Sequence, residues 1–248
     1  MKFERTDVWG FEHAIRGMRN PLESWSKSDS GNLCLELDWN RKVTETKICD
    51  NCGSPNCEKG SFCVGKNDLN LMQRLIKAGG EHRKFLRQIF VSVDITASGY
   101  FFSQFDTYKV GTVANSTSKM HKLADTIVDI DCFEMDDYNG DLLVYDNEPY
   151  QECFTVDDIW EEIINHCETL RRRYLETKDK RYWKELVRLL PESWLQTRTV
   201  TMNYENILNM CSQRKGHRLT EWQQFIDWAY TLPYAKELIF FDEQGDIL

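Results

Sequence analysis

Proline is scarce in this chain, 5 among 248 residues, and glycine numbers only 13. That excludes collagen-like and Pro/Gly-rich low-complexity architectures. Long apolar runs are missing too. Charge interrupts every hydrophobic stretch, mean hydropathy is −0.56, and none approaches the roughly 18 uninterrupted apolar residues of a membrane-spanning helix. A soluble protein is expected. The first residues, Met1-Lys2-Phe3-Glu4-Arg5-Thr6-Asp7, lack an apolar segment and mix acids with bases, which argues against a secretory or transit peptide and predicts a cytoplasmic location. An excess of positive charge is also lacking, with 31 Lys+Arg against 40 Asp+Glu and a net charge of −9. Bulk nucleic acid is therefore not an expected partner, whereas a local basic pocket for one small phosphate is compatible with this balance.

Core-forming residues, in contrast, are plentiful. Hydrophobic residues make up 41%, with 8 Trp and 13 Phe, which excludes global disorder and supports a packed interior. The length suits one large domain or two small ones, and with no internal repeat we read 1–248 as a single domain bearing two insertions. The first insertion, 49–63, is rich in Cys, Gly, Asn and Lys. The second, 125–152, is acidic, through Asp125, Asp129, Asp131, Asp136, Asp137, Asp141 and Asp146. Interspersed apolar residues make it a hairpin or extended insertion.

Local patterns place the remaining elements. Asn67-Asp68 can cap a helix from Leu69 with an apolar face of Leu71, Leu75 and Ala78, closing at Gly79-Gly80. Val91, Val93 and Ile95 then alternate with Ser92, Asp94 and Thr96 as in a half-buried strand directly after that helix. Thr155 precedes the stripe Ile159, Ile163, Cys167, Leu170, Tyr174, with acids early and Arg171-Arg172-Arg173 late, as the helix dipole favours. A shorter helix is expected from about Met202 to Ser212. Thr220 and Gln223 suggest a capping box for a further helix carrying Trp222, Phe225, Ile226 and Ala229, before Pro233. The expected class is α/β in the α+β sense.

Three polar stretches are candidate sites. Glu81-His82-Arg83-Lys84-x2-Arg87-Gln88 reads best as a solvated face, because charged side chains mostly stay exposed. Gln104-Phe105-Asp106-Thr107-Tyr108-Lys109, followed by Thr112, Asn115, Ser116 and Ser118, has more neutral hydrogen-bonding groups and suits a loop around a polar ligand or an ordinary turn. Arg188-Leu189-Leu190-Pro191 with Asn203, Asn209 and Arg214 is the third. No nucleophile–base pair, P-loop or dinucleotide fingerprint accompanies them.

At these stretches the sequence resembles the flavin-dependent thymidylate synthase family. The similarity lies in Glu81-His82 before the strand, Gln104 leading into Thr107-Tyr108-Lys109, Ser118, and the ordered series Pro191, Asn203, Asn209 and Arg214. The resemblance spans roughly Leu69 to Ala229. It implies a homotetramer of compact α/β subunits that uses FAD, NADPH and methylenetetrahydrofolate to methylate, or in a variant hydroxymethylate, a pyrimidine nucleotide such as dUMP, yielding dTMP in the parent reaction. It further implies that His82, Lys109, Asn203 and Asn209 lie near the flavin. Gln104, Tyr108, Ser118 and Arg214 would lie near the nucleotide, with Ser118 and Arg214 as the catalytic positions. Departures are specific. Thr107-Tyr108-Lys109 stand where the family has Arg-His-Arg, Met120 replaces an Arg after the Ser, and Glu205 replaces an Arg after the first Asn. Each lost charged contact to a phosphate is worth about 1.5–3 kcal/mol. The cations left to compensate are Lys109, Lys119, Lys122 and Arg188, and lysine does not reproduce a guanidinium fork. Glu205 is expected to repel a phosphate. Two functions follow: a divergent methyltransferase of this type, or a catalytically inactive fold retained for nucleotide binding or protein interaction.

Cys49-x2-Cys52-x4-Cys57-x5-Cys63 brings four thiols together around Gly53, Ser54 and Pro55. Two readings stand: a structural zinc site, which favours four thiolates on a turning chain, or a loop of reduced thiols. A four-thiolate site leaves no open position for catalysis. The remaining cysteines, Cys34, Cys132, Cys153, Cys167 and Cys211, suit a reducing compartment as small apolar side chains. If zinc is held, native mass spectrometry of protein purified without chelator will show one zinc per chain, lost in Cys52→Ser; metal-free wild-type protein rejects it.

Overall fold

Alternating burial is strongest along β2 (Phe90–Ser98), where Val91, Val93, Ile95 and Ala97 are buried and Ser92, Asp94 and Thr96 are not. The structure is a computed structural model and describes residues 1–31, 62–118, 122–147 and 152–241. In chain order its elements are β1 (Lys2–Trp9), α1 (Phe11–Arg19), α2 (Lys66–Lys77), β2, α3 (Gly99–Phe105), β3 (Val113–Ser116), β4 (Leu143–Asn147) and β5 (Glu152–Thr155). These are followed by α4 (Val156–Thr177), α5 (Lys180–Leu189), β6 (Leu195–Asn203), α6 (Tyr204–Arg214), α7 (Thr220–Tyr230) and α8 (Ala235–Leu238). β1, β2, β6 and β3 form an antiparallel sheet in that order, with β2 and β6 paired from Phe90↔Asn203 to Ser98↔Leu195. The main core includes the inward residues of β2, Phe101, Phe102 and Phe105 of α3, Ile207 and Met210 of α6, and Trp222 and Phe225 of α7. The result is the expected mixture of helix and sheet, with the sheet antiparallel.

A smaller core gathers Leu123, Val128, Phe133, Cys167, Leu186 and Trp194 beneath α4 and α5. Thr155 and Asp158 make a capping box at the start of α4, as the sequence predicts. Arg171 anchors that helix. Its guanidinium holds Glu168 through two 2.7 Å bonds and donates to the Ala124 carbonyl at 3.0 Å, while Glu168 also accepts from the Val128 amide. The Arg171 bonds outweigh burial and bring the Glu168 carboxyl down to about 2. β4, inside the acidic segment, pairs antiparallel with β5, which starts at the segment's last residue.

Several boundaries differ from the local reading for identifiable reasons. α2 begins at Lys66 rather than Leu69, because its free amides are taken by a distant carboxylate: Asp29 accepts from Asn67 at 2.9 Å and Asp68 at 3.1 Å. A 3₁₀ turn, Arg83–Gln88, separates α2 from β2. Met202 belongs to β6, and Asn203 with Asn206 forms the capping box of α6. Thr220 and Gln223 form no box. Thr220 is already helical and turns its hydroxyl to Asp137 at 3.4 Å.

Asp68, released from capping, is fully buried against Arg19 at 2.6 Å. It also accepts from the Ser28 hydroxyl, both the Ser30 hydroxyl and amide, and the Asp29 amide. Arg19 in turn donates to the carbonyls of Ser24 and Lys27. This carboxylate therefore joins α1, the 24–30 segment and α2. Burial pushes its pKa up, but bonds from Ser30, Ser28 and Arg19 outweigh that and hold it below the ordinary 3.8. Its stabilising contribution is full above pH 3.8 and is lost as pH falls through the lower folded value. Asp68→Asn strands a buried guanidinium and should cost about 3–5 kcal/mol in urea denaturation at neutral pH. That deficit should narrow in acid below pH 3.8; a deficit constant with pH would assign the loss to packing instead.

Candidate functional site

α3 starts where β2 ends. Ser98 caps it by accepting from the Phe101 amide at 3.3 Å, and its Phe101, Phe102 and Phe105 face the core. That orientation sends Gln104 and, one 3₁₀ turn later, Tyr108 toward the end of α6. There Arg214 Nε donates to Tyr108 Oη at 2.9 Å and Nη1 to Gln104 Oε1 at 3.3 Å. Gln104 Oε1 also accepts from Trp222 Nε1 at 2.9 Å, and Tyr108 Oη donates to Gln213 at 3.1 Å. The guanidinium carbon lies 4.8 Å from the Trp222 ring centroid and 5.4 Å from that of Tyr108. Two residues of one candidate stretch thus meet Arg214 from another.

Arg214 is half-buried and has no carboxylate within 4.0 Å among the described residues. Its charge is met only by neutral oxygens and aromatic faces. Such a guanidinium retains most of its capacity for a charge-assisted bond to an anion. His217 stands beside it, with its ring centroid 6.3 Å from that of Trp222. The Leu219 amide donates to its Nδ1 at 3.1 Å. No periodic or spacing signal marks His217.

The other candidate residues lie in different settings. Asn203 is 7% exposed: its side chain accepts from the Asn206 amide, and Asn206 donates to the Val110 carbonyl at 2.7 Å. Gly111, at φ +81°, fits against both asparagines, where a Cβ would approach the Asn203 amide nitrogen to 3.1 Å. Asn203 is thus a capping residue that holds the 110–111 turn. Asn209 accepts from Arg83 at 3.1 Å. Lys109 is exposed, and Ser118, half-exposed just after β3, receives the Lys122 amide on its carbonyl. His82 is exposed on a separate cleft of about 1130 Å³ that also includes Arg74, Lys84 and Gln88. Arg188 pairs with Glu185 on the exposed side of α5, and Lys119 and Met120 lie outside the described residues.

In the stretch read as a solvated face, Glu81, His82, Lys84, Arg87 and Gln88 are exposed, and Arg83 departs from that reading. Arg83, 23% exposed, donates to Glu205 at 3.3 Å, and Arg87 also pairs with Glu205. Glu205 is therefore neutralised rather than open to repel an anion. Local charge patterns hid this because 122 residues separate Arg83 from Glu205. Arg198 was likewise missed. It donates to Asp106 at 2.8 Å and lies 3.9 Å over the Phe102 ring.

Cys49, Cys52 and Cys57 lie outside the described residues, while Cys63 is buried and bridges Gly31 through backbone hydrogen bonds. Among the described residues no group of three or more His, Cys, Asp or Glu is placed to hold a metal. Burial raises the thiol pKa of Cys167 to about 11 and of Cys211 to about 12, as befits apolar side chains.

No protein-family model and no curated protein sequence matches the chain. Its fold is similar to that of the flavin-dependent thymidylate synthase ThyX from Helicobacter pylori, solved with FAD and dUMP. Against one such structure the TM-score is 0.60 at 16% identity, covering 96% of this chain and 98% of that one. Against a second, the TM-score is again 0.60 at 16% identity, with 99% and 100% covered. No described helix is long and apolar enough to cross a membrane. The chain has a ThyX-like fold.

Glu205→Ala leaves Arg83 without its carboxylate and should lower stability by about 1.5–3 kcal/mol, the range for hydrogen bonds to charged groups. Urea denaturation checks this, and a variant as stable as the parent would mean solvent screening cancels the pairing.

Proposed function

We propose that the chain is a divergent thymidylate synthase-like protein that binds a pyrimidine nucleotide such as dUMP, with Arg214 engaging an anionic part of the ligand. The observation that supports this is the Gln104–Tyr108–Arg214 cluster, whose guanidinium is oriented by two hydrogen bonds and faces no described carboxylate. Gln104 and Tyr108 hold the fork in place, and Trp222 stacks against it. Ser118 belongs to the same proposal as an edge contact. FAD, when bound, would supply the redox chemistry, with NADPH as reductant and methylenetetrahydrofolate as one-carbon donor. His82, Lys109, Asn203 and Asn209 belong to this proposal as the residues that would lie near the flavin. A homotetramer is part of this reading, as is a cytoplasmic location.

A second reading, a catalytically silent nucleotide-binding module, is favoured by one observation. Asn209 is already engaged by Arg83, which occupies a polar group that the synthase reading would place near the flavin.

Titration calorimetry with dUMP and deoxyuridine separates these outcomes. Wild-type protein should bind dUMP more tightly than deoxyuridine, and Arg214→Ala should weaken dUMP by about 10- to 100-fold, as expected for one charged hydrogen bond. Stoichiometric flavin absorbance together with tritium release from labelled dUMP supports the synthase; colourless protein that ignores added FAD yet binds dUMP supports the silent module. Absence of dUMP binding defeats both.

A further inference from the structure

α6 presents a second face. Leu208, Cys211, Ser212 and Lys215 recur at helical spacing and line a cavity of about 580 Å³, on a different face from Arg214. That volume is within the range of small-molecule sites. Its apolar walls include Ile76 from α2, Leu208, Ile226 from α7, and Phe240 beyond α8. The Cys211 thiol, held neutral by burial, adds to the apolar wall.

The charged residues around this cavity are all of one sign. Lys77, Arg83 and Lys215 line it, and no Asp or Glu is among its described lining residues. In a chain with 40 acids and 31 bases, that is the reverse of the overall balance. Arg83 is engaged by Glu205 and Asn209. Lys77 and Lys215 are exposed and make no ion pair among the described residues. The Lys77 ammonium lies 5.7 Å from the Phe241 ring centroid. An apolar interior with unpaired ammonium groups at its edge selects an amphipathic anion. Two flexible point charges suit a carboxylate head, which needs no guanidinium fork.

We infer that this cavity binds a medium-chain aliphatic carboxylate, with its hydrocarbon body between α2, α6 and α7 and its head group at Lys77 and Lys215. This site is independent of the nucleotide reading, because it uses a different face of α6.

Calorimetry on the full chain tests it with decanoate, octanoate and decan-1-ol. Decanoate should saturate at one per chain. Octanoate, two methylenes shorter, should bind about tenfold more weakly, and decan-1-ol should also bind more weakly. The Lys77→Ala/Lys215→Ala double variant should lose about tenfold in decanoate affinity, and Ile226→Trp should block binding by filling the cavity. Arg214→Ala should bind decanoate like the parent, so a failed dUMP titration leaves this proposal standing. No saturable decanoate binding at about millimolar concentration, equal affinity in the double-lysine variant, or decan-1-ol binding as tightly as decanoate would each overturn it. If Ile226→Trp fails to fold, the surface lysine variant decides.

Discussion

The antiparallel pairing of β2 with β6 is the constraint on which the arrangement of the Arg214 cluster depends. The two strands are in register from Phe90↔Asn203 to Ser98↔Leu195, and each passes into a helix without an intervening loop. α3 therefore starts at one end of the ladder and α6 at the other. Nine extended residues span about 30 Å. α3 with its 3₁₀ extension and α6 each cover about 16 Å at ordinary helical rises. Two elements that start about 30 Å apart and are each half that length can bring their far ends together, and Tyr108 and Arg214 are those ends. A one-residue slip of β6 would reverse the face of every side chain along it and disrupt the register that positions α6.

This dependence explains which parts of the structure could be read from sequence. The alternation of Val91, Val93 and Ile95 and the Thr155 cap are local signals, and both correspond to observed elements. Gln104 and Tyr108 were singled out in one stretch and Arg214 in another, but only the ladder brings them into contact. Asp29 capping α2, Arg19 entering the interior to meet Asp68, and Arg83 meeting Glu205 were all illegible. Each joins partners 38 or more residues apart, beyond the reach of any pattern based on helix or strand period. Asp68 was misread for the same reason: it had the right side chain for a cap, but a distant carboxylate capped the helix instead. The roles proposed for Ser118, Lys109 and His82 rest on the sequence resemblance alone.

Net charge proves a poor guide to local potential. A value of −9 with Glu205 in place of an arginine suggested an acidic site. In the fold, two arginines converge on Glu205, while Arg198 is matched by Asp106. These charges are thus compensated within the protein, and the same pairings use up polar groups that could otherwise meet a ligand. Arg214 differs because its partners are neutral.

That difference has an energetic meaning. A half-buried guanidinium gives up part of its hydration, and hydrogen bonds to a phenol and an amide with two aromatic faces return less than a carboxylate would. Folding could have been served by an acid nearby, since acids outnumber bases in this chain. Instead Gln104 and Tyr108 fix the direction of the guanidinium without cancelling its charge, and Trp222 supports both Gln104 and the cation. An orienting shell of neutral groups costs stability relative to an ion pair but preserves electrostatic attraction for an incoming anion. This is the physical reason to connect the cluster with ligand binding rather than with the stability of α6 alone.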